Sequence, residues 1–195
     1  MKSPRPSSPA SAHQPRSAGA ARPLAAVRRI VVKIGSGVIA TRGRLRLKTV
    51  ADLAHNVAVL QHRGCEVIMV VSGAVASGYQ SLGMAGPPTA VLARQAAAAV
   101  GQPKMMAAFA RAFARQRIEV AQLLMSADDI ENRRRFLSAR HTLIELLGHG
   151  VVPIINENDA LSEHQAIVGD NDHLAALVTN VASAQLLVIL SRVPG

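Results

Sequence analysis

Short β-branched runs that alternate with helical patterns constrain this chain more than any other feature. Ile30-Val31-Val32, Glu66 to Val71, Ile118 to Leu124, Val151 to Ile155 and Leu186 to Leu190 have the length and apolar content of buried strands. Between them, Lys48 to His62 places Val50, Leu53, Ala54, Val57 and Leu60 on one helical face. Ala90 to Val100 and Pro103 to Arg117 read as two helices separated at Gly101, with Pro103 suited to a first helical turn. Ser126-Ala127-Asp128-Asp129 opens a long helix ending near Gly148, and Asn171 to Ala182 aligns Leu174, Leu177, Val178 and Val181. Continuous apolar strands between amphipathic helices predict an α/β fold, a mainly parallel sheet sandwiched between helices. Ligands of such sheets bind beyond the carboxyl ends of the strands. The residues that follow each run are therefore where chemistry is sought.

The formal net charge of +10 invites a nucleic-acid reading, but its distribution argues against one. Residues 1–48 hold 11 of the 22 Lys and Arg and no acid, the first carboxylate being Asp52. The remainder is nearly neutral, so basicity belongs to the front end and not to the domain. Residues 1–26 hold five of the ten prolines and no hydrophobic period, which predicts a disordered, basic, Pro/Ser-rich tail. An Arg- and Ser-rich transit peptide is the sharper reading of that tail, although its prolines interrupt any amphipathic helix. Only Tyr79, Phe109, Phe113 and Phe136 are aromatic, too few for a single-strand stacking platform, and no specific nucleic-acid partner is expected. No apolar run approaches the roughly 18 residues of a membrane span. The single cysteine, Cys65, excludes a disulfide framework, suits a reducing cytoplasm, and reads as a small buried residue and not a nucleophile.

Polar or glycine-rich clusters follow three strands, and a fourth opens a helix. Lys33-Ile34-Gly35-Ser36-Gly37 follows the first, where a glycine turn can cradle an anion beside a point charge. An ordinary glycine turn with an exposed lysine explains the same residues, and neither Walker nor dinucleotide spacing is present. Ser72-Gly73-Ala74-Val75-Ala76-Ser77-Gly78 follows the second; Ser72 stands where an N-cap would, and a helix start there would welcome an anion. Asn156-Glu157-Asn158-Asp159 follows the fourth, four polar side chains that form either a surface turn or a receptor for an ammonium group. Gly169-Asp170-Asn171-Asp172 leads the next helix, with Asp170 a good cap by type and the acids able to hold a lysine or Mg²⁺. The histidines, among them His55, His62, His141 and His149, are scattered and read as surface residues or supports of a site, with no metal site among them.

At these clusters the sequence resembles the glutamate 5-kinases of the amino acid kinase family. The resemblance rests on Val31-Val32-Lys33-Ile34-Gly35-Ser36, Val71-Ser72-Gly73-Ala74-Val75-Ala76, Ala98-Ala99-Val100-Gly101-Gln102 and Phe136-Leu137-Ser138-Ala139-Arg140. It continues through Val152-Pro153-Ile154-Ile155-Asn156-Glu157-Asn158-Asp159 and Gly169-Asp170-Asn171-Asp172, in order from about residue 28 to 190. The resemblance implies Mg²⁺-assisted transfer of the ATP γ-phosphoryl group to the side-chain carboxylate of L-glutamate. The product, γ-glutamyl phosphate, is the first intermediate of proline biosynthesis. It further implies that Lys33 stabilises the transferring phosphoryl group and that Gly35 and Ser36 cradle phosphates. Ser72, Asn156, Asp159 and Asn171 would hold glutamate, Asp159 meeting its ammonium group, and Asp172 would organise the catalytic lysine.

On this resemblance residues 27–195 form the N-terminal, amino-acid-substrate part of an amino acid kinase domain, since the family domain runs on through further strands and helices. Ser191-Arg192 stands where the family usually reads Thr-Asp, and Gly37 where a serine is common. Three readings follow: a glutamate kinase, a glutamate-binding remnant without kinase activity, and a shortened product with no stable fold. A homo-oligomer is left open.

Overall fold

The computed structural model describes residues 26–160 and 170–192. Residues 1–25 of the predicted tail and Gly169 fall outside these residues, as does the side chain of Asp170. Strands β1 (Arg29–Ile34), β4 (Glu66–Val71), β5 (Val120–Met125), β6 (Val152–Glu157) and β7 (Leu186–Leu190) form one sheet in the order β5-β6-β4-β1-β7. Every neighbouring pair in it is parallel, with Val31 opposite Ile68 on one side of β1 and Leu187 on the other. The α/β sandwich expected from the apolar runs is the fold found.

Alternation along β1 decides what faces what. Ile30, Val32 and Ile34 turn toward α2 (Leu47–His62) and α4 (Val91–Ala114), packing with Val50, Val57, Met105, Phe109 and Phe113. Val31 turns the other way, with Ile68 and Val70, toward α6 (Arg133–Gly148) and α7 (Asp170–Val181), where Leu143, Leu147, Leu174 and Val178 are buried. Fully burying one such side chain stabilises by about 1.5–3 kcal/mol. Both faces of the sheet are therefore core, as the uninterrupted apolar runs require. Tyr79, Phe109 and Phe113 are also buried in this core and present no stacking surface.

Several boundaries depart from the sequence expectation for identifiable reasons. α4 is one helix that runs through Gly101 and Pro103. Gly101 is there for contact: a Cβ on it would overlap the carbonyl oxygen of Ala74 in α3 (Ala74–Gly78), and one on Gly78 would overlap the carbonyl of Ala97. Ala97 and Ala98 before Pro103, and Met105 and Phe109 after it, are all buried, so both parts of the helix pack on the core. The long helix expected from Ser126 is instead two: α5 (Ala127–Glu131) and α6, divided at Asn132. Asn132 has an extended backbone, and its side chain accepts hydrogen bonds from the amides of Arg134 and Arg135, so the side chain caps a new helix. The expected start at Ser126 does form a capping box with Asp129, the two exchanging bonds of 2.8 and 3.2 Å. β5 begins at Val120 and not Ile118, because the Ile118 amide returns to Phe113 and closes α4.

Between β1 and α2 the chain forms α1 (Ser36–Ile39) and a small hairpin of β2 (Ala40–Thr41) and β3 (Arg44–Leu45). Arg42 and Gly43 turn that hairpin with φ of 46° and 74°, the positive pair that a two-residue hairpin loop needs. Among the described residues no helix is long and apolar enough to cross a membrane.

Candidate active site

The carboxyl ends of β1, β4 and β6 meet the first turn of α7. Lys33, the penultimate residue of β1, lies on the same face of the strand as Val31 and so turns toward α7. It is only 8% exposed, and its Nζ lies 2.6 Å from Oδ1 of Asp172, whose side chain is half exposed. A carboxylate in the first turn suits the positive end of the helix dipole. The lysine, by contrast, brings its charge to that same positive end, and Asp172 is what offsets it. The result is a buried cation held in place beside a surface that favours anions.

Gly35 and Ser36 follow directly. The Gly35 amide donates to the Leu190 carbonyl at 2.9 Å, extending the β1–β7 ladder by one bond. A Cβ on Gly35 would stand 3.4 Å from the Leu190 carbonyl oxygen and 3.7 Å from Lys33 Nζ, in ordinary contact with both. Gly37 makes room in turn for Arg192, since a Cβ at 37 would come within 3.2 Å of its Cδ. Gly37 and Arg192, two of the positions expected to depart from the family pattern, thus pack against each other.

Ser72 is not the helix cap that its position suggested. Gly73, at φ 130°, takes that place before α3, and a Cβ on it would press on Ile39. This leaves the Ser72 hydroxyl to accept a 2.7 Å bond from Asn171 Nδ2. The same Nδ2 donates to Asn156 Oδ1 at 3.3 Å, and Asn156 Nδ2 donates to Gln102 Oε1 at 2.9 Å. Asn156 is 1% exposed. Four side chains, from the turn after β4 and from α7, β6 and α4, are thus joined in a line, and two of its buried atoms, Asn171 Oδ1 and Gln102 Nε2, have no hydrogen-bond partner among the described residues. Buried polar groups are ordinarily paired, so an unsatisfied acceptor and an unsatisfied donor here point to a ligand.

These residues border a cavity of about 660 Å³, which Lys33, Gly35, Ser36, Ser72, Asp159 and Asn171 all line. Arg94 and Arg192 add positive charge to its wall, and Glu157 adds a carboxylate. A second pocket of about 240 Å³ shares Glu157 and Asp159 with it and is also lined by Gln102, Asn158, Gln122 and Leu124 of β5, and small apolar residues of α3 and α4. Lys33, Gly35, Ser36, Ser72, Asn156, Asp159, Asn171 and Asp172, separated by up to 139 positions in sequence, therefore gather at one end of the sheet.

Gln102 and Arg94 are the additions that reading the ends of strands does not supply, because both lie on α4. A glutamine within an alanine-rich helix, followed by proline, is the signal that marks Gln102. Cys65 is buried at the opposite end of β4, its thiol pushed up by desolvation and by Glu66 and drawn down less by Arg28. His55, His62, His141 and His149 are exposed, away from the cavity lining.

Comparison with known proteins shows the family. The pattern of the amino acid kinase family matches residues 28–195. Glutamate 5-kinase of Syntrophotalea carbinolica is 48% identical over 172 residues, which cover 88% of this chain and 46% of that protein. Glutamate 5-kinases of Citrifermentans bemidjiense and Geobacter metallireducens are 48% and 49% identical over 173 residues, again 88% of this chain and 46% of theirs. The chain spans about half the length of these curated relatives. With its parallel sheet and with the motifs gathered at one end of it, the chain belongs to the amino acid kinase family.

Proposed function

We propose that this chain carries the acceptor half of a phosphoryl-transfer site that phosphorylates the side-chain carboxylate of L-glutamate with ATP, the first step of proline biosynthesis in the cytoplasm. The observation that carries the reading is the Lys33–Asp172 pair at 2.6 Å beside the Ser72–Asn171–Asn156 line, at the carboxyl ends of adjacent strands. A substrate ammonium group suits the unsatisfied Asn171 Oδ1 and the Asp159 carboxylate on the cavity wall. That orientation directs the other end of the amino acid toward Lys33.

A polyphosphate fits the opposite side of the cavity. The space that a Cβ at Gly35 would fill, next to Lys33 Nζ, is open to phosphate oxygens, and Ser36, Arg94 and Arg192 border the same cavity. In the transfer, a carboxylate oxygen of the acceptor bonds to the γ-phosphorus as the bond to the bridging oxygen breaks. ADP leaves and an acyl phosphate forms, with no proton needing to move. Lys33 stabilises the charge spread over the transferring oxygens, and Asp172 holds the ammonium where that charge develops. Among the described residues no group of three or more His, Cys, Asp or Glu side chains gathers to cage a metal. Mg²⁺ would be held chiefly by phosphate oxygens and would supply further charge neutralisation.

The test is hydroxamate formation from L-glutamate, Mg·ATP and hydroxylamine by the purified 195-residue chain, with Lys33→Ala as control and calorimetric titration of glutamate alongside. Hydroxamate that disappears in the control supports the full reading. Glutamate binding without hydroxamate assigns the chain to acceptor binding alone, the outcome that Arg192 at a usually acidic position favours. A folded chain that neither binds glutamate nor forms hydroxamate overturns the proposal.

A further inference from the structure

The hydrogen bonds along the line of amides at the site run in one direction. An amide offers a donor on one arm and an acceptor on the other, so a chain of amides in contact must run one way or the opposite way. Gln102 Oε1 accepts from Asn156 Nδ2 at 2.9 Å, which turns Asn156 Oδ1 toward Asn171. Asn171 must then present Nδ2 to both Asn156 and Ser72, leaving Oδ1 as the unsatisfied atom. With the order reversed, Asn171 would instead be left with a free N–H, which repels an ammonium group. Gln102 is 8% exposed and Asn156 1%, so water competes little for either amide.

We propose that Gln102 is a positioning residue for the acceptor site: by accepting from Asn156 it fixes the flip state of Asn171, so that a carbonyl oxygen faces the ammonium group of the amino-acid substrate. The proposal rests on the acceptor reading given above. It assigns Gln102 no contact with the reacting atoms. Ser72 cannot set the direction, because a hydroxyl donates or accepts equally well. Gln102 is anchored in α4, next to the buried Gly101 and one turn before the buried Met105.

The experiment compares Gln102→Met, which keeps length and loses the acceptor, with Gln102→Glu, which keeps it. Binding of glutamate by calorimetry, KM for ATP where turnover is measurable, and melting temperature are read for each. The expected result is an approximately 10-fold or greater loss of glutamate affinity in Gln102→Met, with KM for ATP and melting temperature near wild type, and recovery in Gln102→Glu. Side-chain amide NMR on the ligand-free protein gives an independent reading. Wild type should show one Asn171 amide pair with contacts to Ser72, and Gln102→Met should show two sets as both flip states become populated. Unchanged glutamate affinity and one unchanged Asn171 pair in Gln102→Met would overturn the proposal. Equal weakening of glutamate and ATP in both variants, with lowered melting temperatures, would overturn it as well, since that is the signature of packing alone. If wild type does not bind glutamate the acceptor reading fails, and the NMR arm still decides whether Gln102 sets the flip state.

Discussion

Strand β1 carries two cations four residues apart on one face, and they meet opposite ends of the same helix. Arg29 donates to Glu66 at 2.6 Å and to the carbonyl of Ala182, just past the last turn of α7. There a cation faces the negative end of the helix dipole and free carbonyls, so dipole and ion pair act together. Lys33 faces the first turn of α7, where the dipole opposes it and a single half-exposed carboxylate holds it. At the Arg29 end the polar groups complete one another: Gln185 Oε1 also accepts from the amides of Arg28 and Arg29. At the Lys33 end two buried polar atoms have no partner among the described residues. The same strand and helix are thus closed at one end and poised for a ligand at the other.

Exchanging the roles of the two cations should break this comparison if it is wrong. Lys33→Ala should lower phosphoryl transfer by about 10²- to 10³-fold, the size seen when one preorganised charge or donor is removed, with little change in melting temperature. Asp172→Asn leaves the lysine but not its anchor, and should lower kcat roughly 10- to 100-fold while glutamate affinity changes little. Arg29→Met should do the reverse of Lys33→Ala, costing about 1–2 kcal/mol of unfolding free energy with kcat and KM retained. Loss of transfer in Arg29→Met at an unchanged melting temperature would show that the ends are not divided as described.

A carboxylate remote from both cations sharpens the contrast. Burial pushes the Asp129 carboxyl up, yet hydrogen bonds from the Ser126 amide and hydroxyl and the Arg135 guanidinium together hold it below its ordinary value. A depressed folded value means that its stabilisation is complete at neutral pH and is lost as pH falls through that value. Asp129→Asn should therefore lower the melting temperature at neutral pH, by the equivalent of about 1 kcal/mol for a weakened cap, and the gap to wild type should close in acid. Transfer activity at neutral pH should be unaffected.

The strand-end residues were legible in the sequence because polarity is conspicuous after an apolar run. Lys33, Ser72, Asn156 and Asp172 each follow or end one, or open the helix that reaches it. Gln102 was not, since nothing in a helical pattern says which face a single amide turns to a neighbour. The hairpin at residues 40–45 was missed because two-residue strands have no period to read. Glycine misled in the other direction. Gly101 breaks a helical pattern on paper, yet in the fold it is the condition for α3 to touch α4.

That glycine crossing also bears on motion. With no Cβ at Gly78 or Gly101, backbone rests on backbone, and neither helix can slide along the other without collision. α3 and α4 should consequently travel as one rigid body, carrying the Ser72–Gly73 turn and Gln102 together. Hydrogen exchange at the α3–α4 crossing should accordingly stay uniformly slow.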